Sequence, residues 1–253
     1  MIDLSGKVAL ITGAGQGVGQ GIALALAKAG AAVAVTGRTA EKLEATCAAI
    51  SAVGGRSIAL TCNVKSADGL VRIVADTVKQ LGGLDILVNN AQEVPLGALN
   101  DVSDEAFIAG FESGPLATHR LMKLAYPHLV ARGGGVIFNL VSSAMIRWDM
   151  ATYGAYGAVK AATQTLTRAA AAEWGREGIR VLNLAPHAES PGMKWWIENN
   201  PEEAKAFFKT IPLGHVGKCE EDIGAAVLAL CAPEMHYLTG ATIPLDGGQA
   251  YFA

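Results

Sequence analysis

The sequence predicts an α/β chain in which a seven-stranded parallel sheet is doubly wound and flanked by helices, all in a single domain. Short apolar runs of strand length alternate with longer, helically periodic stretches along the whole 253 residues, as βαβ units require. Each short run is apolar throughout rather than alternating, as a strand covered on both faces must be. The predicted strands are Val8 to Thr12, Ala32 to Thr36, Ser57 to Thr61, Ile86 to Asn89, Val136 to Val141, Arg180 to Leu184 and Ala241 to Leu245. Helical periodicity covers Gly17 to Ala29, Glu41 to Val53, Ala67 to Leu81, Asp104 to Ala131, Thr152 to Trp174 and Glu220 to Ala232. Glycines punctuate the ends of the first four. The long departure from this rhythm is Pro186 to Gly214, rich in Pro, Asn and Glu yet holding Trp195, Trp196, Phe207 and Phe208. It follows a strand's carboxyl end, so residues 187–214 are expected to form a substrate lid.

Composition narrows the function classes. Hydrophobic residues make up 51% and charged residues 17%, which excludes disorder as a description of the chain. A net charge of −3 supplies no excess of cations to neutralise phosphates, so nucleic acid is not an expected partner. Cys47, Cys62, Cys219 and Cys231 are scattered, with no C-x-x-C pair and no nearby histidine, so neither a metal site nor a disulfide framework is expected. The N-terminal apolar run is too short for a signal-peptide core, and the stretch from Gly21 to Val35 is too short to span a bilayer. A cytoplasmic protein without membrane contact is the expectation.

Directly after the first strand stands Thr12-Gly13-Ala14-Gly15-Gln16-Gly17-Val18-Gly19, followed at once by a helical run. A strand, a glycine turn and a helix N-terminus make an anion site, because free backbone N–H groups and the positive end of the helix dipole converge there. In this position the loop reads as the cradle of a dinucleotide pyrophosphate, with Gly13, Gly15, Gln16, Gly17, Val18 and Gly19 as contact residues. A carboxylate at the end of the second strand would hold the adenosine ribose hydroxyls and repel a 2′-phosphate. Here that segment ends Gly37-Arg38-Thr39, and Arg38 forks well onto a phosphate while its plane stacks on adenine. NADP(H) is therefore expected over NAD(H), with Arg38 and Thr39 at the adenosine end.

Tyr156 and Lys160 stand four residues apart on a predicted helix and so share a face. A phenol loses its proton near pH 10 and is a poor base at neutrality. An ammonium about 4 Å away at an effective dielectric of ~20 favours the phenolate by roughly 4 kcal/mol, or ~3 pH units. That spacing therefore predicts an activated general acid/base.

The chain resembles the short-chain dehydrogenase/reductase family over essentially its full length. The resemblance rests on the glycine loop, Asn89-Asn90-Ala91, the Ser142-Ser143 pair, Tyr156-Gly157-Ala158-Val159-Lys160 and the closing Leu245-Asp246-Gly247-Gly248. It implies a Rossmann fold and an oxidoreductase interconverting a ketone and a secondary alcohol. By that resemblance Tyr156 exchanges the proton with the substrate oxygen, and Lys160 also holds the nicotinamide ribose. Asn63, Val64, Asn89, Ala91, Pro186 and Ser190 fall at further cofactor-binding positions. The two serines are neighbours at a strand end, so one alone faces the nicotinamide. The register of Asn139-Leu140-Val141-Ser142 selects Ser142, to bind the substrate oxygen and stabilise its developing charge; counting back from Tyr156 selects Ser143.

Three departures from the family pattern surround this centre. Gly114, followed by Pro115, stands where the family often has an asparagine of the proton relay, and the pair should kink the long fourth helix. Relay through water, or through His119, remains open. Gln92 replaces the glycine of Asn-Asn-Ala-Gly, and His187 the glycine of Pro-Gly. Tyr153, seven residues before Lys160, resembles the spacing of enoyl reductases and is read as pocket lining. Met145, Trp148, Met193, Trp195 and Trp196 flank the expected pocket and suit a bulky apolar substrate. A 3-oxoacyl or enoyl thioester reductase and a catalytically silent NADP(H)-binding sensor are the alternatives. The fourth and fifth helices carry apolar residues on more than one face, which predicts a homo-oligomer, a tetramer or dimer.

Overall fold

A computed structural model describes residues 2–147 and 151–250. Seven strands, β1 (Val8–Thr12), β2 (Ala32–Gly37), β3 (Arg56–Thr61), β4 (Ile86–Asn89), β5 (Gly135–Leu140), β6 (Ile179–Pro186) and β7 (Thr242–Leu245), form one sheet in the order β3-β2-β1-β4-β5-β6-β7. All pairs are parallel. The order reverses direction at β1 and β4, and such a switch point opens a crevice beyond the carboxyl ends of the strands.

Alternate strand residues feed two cores. Ala9 and Ile11 of β1, Phe138 and Leu140 of β5 and Leu182 and Leu184 of β6 are buried on one face. They pack with Ile22 and Leu26 of α1 (Gly17–Lys28), with Leu43 and Ile50 of α2 (Ala40–Ala52) and with Ile223 and Val227. Leu10, Leu87, Ile137 and Val181 pack on the other face with Leu70 and Ile73 of α3 (Ala67–Leu81).

The long fourth predicted helix breaks at Gly114-Pro115, as expected, into α4 (Asp104–Phe111) and α5 (Ala117–Ala131), joined by a wide turn over Glu112–Leu116. Gly114 there leaves the helical region at φ −96° and ψ −107°, and Pro115 has no N–H to return to the preceding turn. Next comes α6 (Gly154–Trp174). The Pro186 to Gly214 departure contains α7 (Pro191–Asn199) and α8 (Pro201–Phe208). The last predicted helix begins as a wide turn, Cys219–Gly224, before α9 (Ala225–Leu230).

A polar rung crosses the second half of the sheet. Asn89, Asn139, Asn183 and Thr242 are register partners on β4 to β7. Asn89 Nδ2 donates to Asn139 Oδ1 at 2.7 Å, Asn139 Nδ2 to Thr167 Oγ1 of α6 at 2.8 Å, and Thr167 Oγ1 to Asn183 Oδ1 at 2.6 Å. Asn183 Nδ2 reaches Thr242 Oγ1 at 3.3 Å. Buried amides are costly unless bonded, and this rung bonds all of these amide groups but Asn89 Oδ1, which is buried without a partner among the described residues.

At the opposite end of the strands, the buried Asp85 carboxylate accepts from Val8 N at 2.9 Å, Lys7 Nζ at 3.1 Å and Arg132 Nε at 3.1 Å. Both cations keep part of their hydration, so the main loss on removing the acid is the unpartnered Val8 N–H. Asp85→Ala is expected to cost about 2–3 kcal/mol in urea unfolding; an unchanged midpoint would refute this reading of the cluster.

Candidate active site

A cleft of about 1080 Å3 opens at the carboxyl ends of the strands. Gly13, Gly15, Gln16, Gly17 and Val18 form one wall, and the start of α7 leans over them: a Cβ on Gly17 would lie 3.3 Å from Pro191 Cδ. Gln16, the residue before α1, makes no side-chain capping bond, and the helix has no acid in its first turn. Its N-terminal N–H groups therefore remain available to an anion. A Cβ on Gly13, whose φ is +66°, would come within 2.7 Å of Asn90 Nδ2, so glycine is required at this bend. These features fit a dinucleotide cofactor.

Arg38, Thr39, Asn63, Val64, Ala91, Pro186 and Ser190 also line the cleft. Two of the expected contact residues lie beneath it instead. Gly19 packs so closely that a Cβ would lie 2.5 Å from Gly13 O, and Asn89 gives its Nδ2 to the polar rung. Ser190 lines the wall while its hydroxyl caps α7, accepting from Met193 N at 3.3 Å. Asn63 Oδ1 accepts from Lys65 N at 3.1 Å.

Ser142, Tyr156 and Lys160 meet on the cleft floor. Ser142 lies just beyond β5, and its hydroxyl hydrogen-bonds the Tyr156 phenol. Ser143 begins the short turn that follows and also reaches the cleft wall. Lys160, 4% exposed, donates from Nζ to Leu140 O at 2.6 Å and stands 5.4 Å from the centre of the Tyr156 ring. The sequence predicts that this ammonium lowers the phenol's pKa, but in the folded site burial, and not the ammonium, sets the direction. Burial first, then Tyr153, pushes the Tyr156 phenol above its ordinary 10, with the Ser142 bond pulling the other way. Burial pulls the Lys160 amine down from 10.5 to about 7. Desolvation on this floor disfavours the charged form of both groups, while the ring beneath the Lys160 ammonium and its bond to Leu140 O work the other way.

The Gly114 departure has a structural counterpart in Gln92. Gln92 Nε2 donates to Glu93 O at 2.7 Å and to Gly110 O at 2.9 Å, and lies 3.3 Å from Ser113 Oγ. A Cβ on Gly114 would fall 2.5 Å from Gln92 Oε1 and 2.9 Å from Val159 Cγ1. The glutamine amide thus fills the space a side chain at position 114 would take, and it supports the broken helix from outside. Gly114→Ala is expected to destabilise by about 1–3 kcal/mol, and Gln92→Gly in the same chain to recover most of that. Additive losses in thermal unfolding would overturn this pairing.

The substrate side is apolar. Phe207 meets His187 edge-on at 5.0 Å and Trp196 at 5.5 Å, so the departures at Pro186 to Gly214 are joined by one aromatic train. Trp195 stands at the rim, 63% exposed. Tyr153 lines the cleft with its ring 6.3 Å from that of Tyr156. Trp148, expected on this wall, lies outside the described residues.

Sequence reasoning missed Glu93 and Lys65. Glu93 Oε1 pairs with Arg38 Nη1 and its Oε2 with Lys65 Nζ, both at 3.1 Å. The signal was an acid placed right after Asn-Asn-Ala-Gln, in the loop of a strand two places from Arg38's strand in the sheet. Among the described residues no group of three His, Cys, Asp or Glu is placed to hold a metal ion, and no helix is long and apolar enough to cross a membrane.

Comparison with known proteins agrees with this geometry. A family model described as enoyl-(acyl carrier protein) reductase matches residues 13–250. The 12alpha-hydroxysteroid dehydrogenase of Clostridium sp. is 33% identical over 252 residues, covering 96% of each chain. The sorbitol dehydrogenase of Cereibacter sphaeroides is 33% identical over 256 residues, covering 97% of this chain and 98% of that one. A 7 alpha-hydroxysteroid dehydrogenase solved with NADH and 7-oxo glycochenodeoxycholic acid superposes with a TM-score of 0.92 at 31% identity, over 98% of this chain and 96% of that one. Fold, cleft and relatives together define an oxidoreductase that acts on CH–OH groups with a nicotinamide cofactor. The chain belongs to the short-chain dehydrogenase/reductase family.

Proposed function

We propose that the chain interconverts a bulky, apolar, alicyclic ketone and its secondary alcohol, using NADP(H). The observation that carries this reading is the Ser142 hydroxyl beside the Tyr156 phenol on the cleft wall, with Lys160 one helical turn further along α6. When bound, the nicotinamide cofactor supplies or accepts the hydride.

The chain's own residues handle the oxygen. Ser142 and Tyr156 converge on one point of the floor, where a carbonyl oxygen would accept two hydrogen bonds and lose its developing charge to them. The Tyr156 phenol is protonated at neutral pH and would be the general acid of carbonyl reduction; burial, which raises its pKa, works against that transfer, and a protonated Lys160 would work toward it. Lys160 keeps the bottom of the site closed and offers a cation when protonated. The aromatic train from His187 to Trp196 would cover the apolar body of the substrate, with the segment at 187–214 as its lid. The hydroxysteroid relatives support an alicyclic substrate.

Arg38 on the cleft wall, with no carboxylate at the end of β2, supports NADP(H). Exposed Phe107, Ile108 and Leu116 on and after α4 support association into a homotetramer, testable by sedimentation. A cytoplasmic setting fits this chemistry.

The test is initial rates on a panel of cyclic ketones, hydroxysteroids, polyols and β-ketoacyl or enoyl thioesters, each with NADPH and NADH. Turnover of alicyclic ketones with NADPH is the expected result. Thioester reduction instead would favour the second reading, to which the close Tyr153 and Tyr156 rings and the description of the family model point. Binding without turnover of anything would indicate a sensor.

A further inference from the structure

Three charged side chains converge beside the adenosine end of the cleft from three different loops. Arg38 follows β2, Lys65 follows β3 and Glu93 follows β4. The two oxygens of the Glu93 carboxylate carry one cation each, Arg38 Nη1 and Lys65 Nζ, both at 3.1 Å. The two cations therefore flank a single volume the size of one anionic group. The carboxylate in that volume belongs to the chain itself.

Glu93 is held in place by its backbone. Its N–H donates to Ser113 Oγ at 3.0 Å, and its carbonyl accepts from Gln92 Nε2 at 2.7 Å. The side chains are less fixed. Arg38 is 68% exposed, and Glu93 and Lys65 about a third exposed, at 32% and 29%. Ion pairs at such exposure are weak and screened by salt. A phosphate dianion that offers several oxygens to the same two cations is the stronger partner. Of the other cations on this side, Lys42 turns to Gln16 Oε1. The cluster carries two positive charges and one negative, so it retains a net attraction for an anion while its own carboxylate occupies the centre.

We propose that Arg38 and Lys65 are the two sides of the site for the cofactor's 2′-phosphate, and that Glu93 is a built-in competitor that the phosphate displaces. The inference rests on the NADP(H) reading and adds to it two residues, one attractive and one repulsive. Glu93 thereby sets how sharply the two nicotinamide cofactors are distinguished, because it opposes a 2′-phosphate and has no quarrel with a free 2′-hydroxyl.

The probes are adenosine 2′,5′-bisphosphate and 5′-AMP, titrated calorimetrically into the cofactor-free protein, its Glu93→Gln variant and its Lys65→Met variant. Glu93→Gln is expected to tighten the bisphosphate about three- to tenfold and Lys65→Met to weaken it by a similar factor, with 5′-AMP unchanged within about twofold. Unchanged 5′-AMP binding also certifies that each variant is folded. If the parent binds the bisphosphate more tightly than 5′-AMP but Glu93→Gln does not strengthen it, the competitor role is wrong and the NADP(H) reading stands. If the parent binds both probes equally and Glu93→Gln weakens 5′-AMP, Glu93 is a ribose ligand, and both the proposal and the NADP(H) reading fall.

Discussion

Tyr156→Phe is expected to lower kcat by about 10²- to 10⁴-fold while leaving cofactor affinity within about twofold. The substitution removes one oxygen and leaves the ring, which still packs edge-on against Tyr153 and beneath Lys160 Nζ. The fold should therefore be untouched. What disappears is the phenolic proton beside Ser142 on the floor of the cleft, so the loss falls on kcat rather than KM. The measurement is steady-state kinetics on the best substrate of the panel, paired with NADPH fluorescence titration. A variant with more than a tenth of parental turnover would place the proton elsewhere, and the Ser142–Tyr156 pair would then be structural.

Lys160→Met should act in two opposite directions, abolishing most activity and stabilising the cofactor-free protein. The sign follows from linkage. The Lys160 amine titrates at about 7 in the fold and at its ordinary 10.5 in the unfolded chain. Between those values the unfolded chain binds a proton that the native chain does not, so stability rises with pH across that window. Below pH 7 both states are protonated and the full cost of the buried charge is carried, about 5 kcal/mol for a drop of that size. Methionine removes the charge and keeps much of the volume. Its unfolding midpoint should exceed the parent's at pH 6, and the two should converge as pH approaches 10. A parent less stable than the variant by the same amount at every pH would contradict the assigned cause.

These expectations differ from those drawn from residue spacing, and the reason is instructive. The helix repeat put Tyr156 and Lys160 on one face correctly, since four residues on a helix is local information. Whether the ammonium or the burial would control the phenol depends on depth, and depth is set by elements far along the chain. Leu140, which takes the Lys160 proton donor, comes from β5. The glycine loop and the strands were readable for the same local reason, as was the break before α5, because Pro115 carries its own constraint. The pairing of Gln92 with Gly114 was not readable, because neither residue is unusual until the loop after β4 and the turn after α4 are brought together. Glu93 was overlooked likewise: its meaning comes from Arg38, which lies 55 positions away in the chain. Gly19 and Asn89 belonged to the right motifs yet serve the scaffold under the cleft, a distinction between wall and foundation that spacing does not carry.

The amides that run from Asn89 to Thr242 bear on assembly errors as much as on endurance. Were β4, β5 or β6 to dock one position out of step, its asparagine would turn to the other side of the sheet, away from its partners in the rung. Such a mispaired chain has no comfortable resting place, so the ends of β4, β5 and β6 arrive level with one another. Ala91, Ser142 and Pro186 sit just past or at those ends. The flatness of the bench on which the reaction would be carried out is thus decided by hydrogen bonds made out of sight of the substrate.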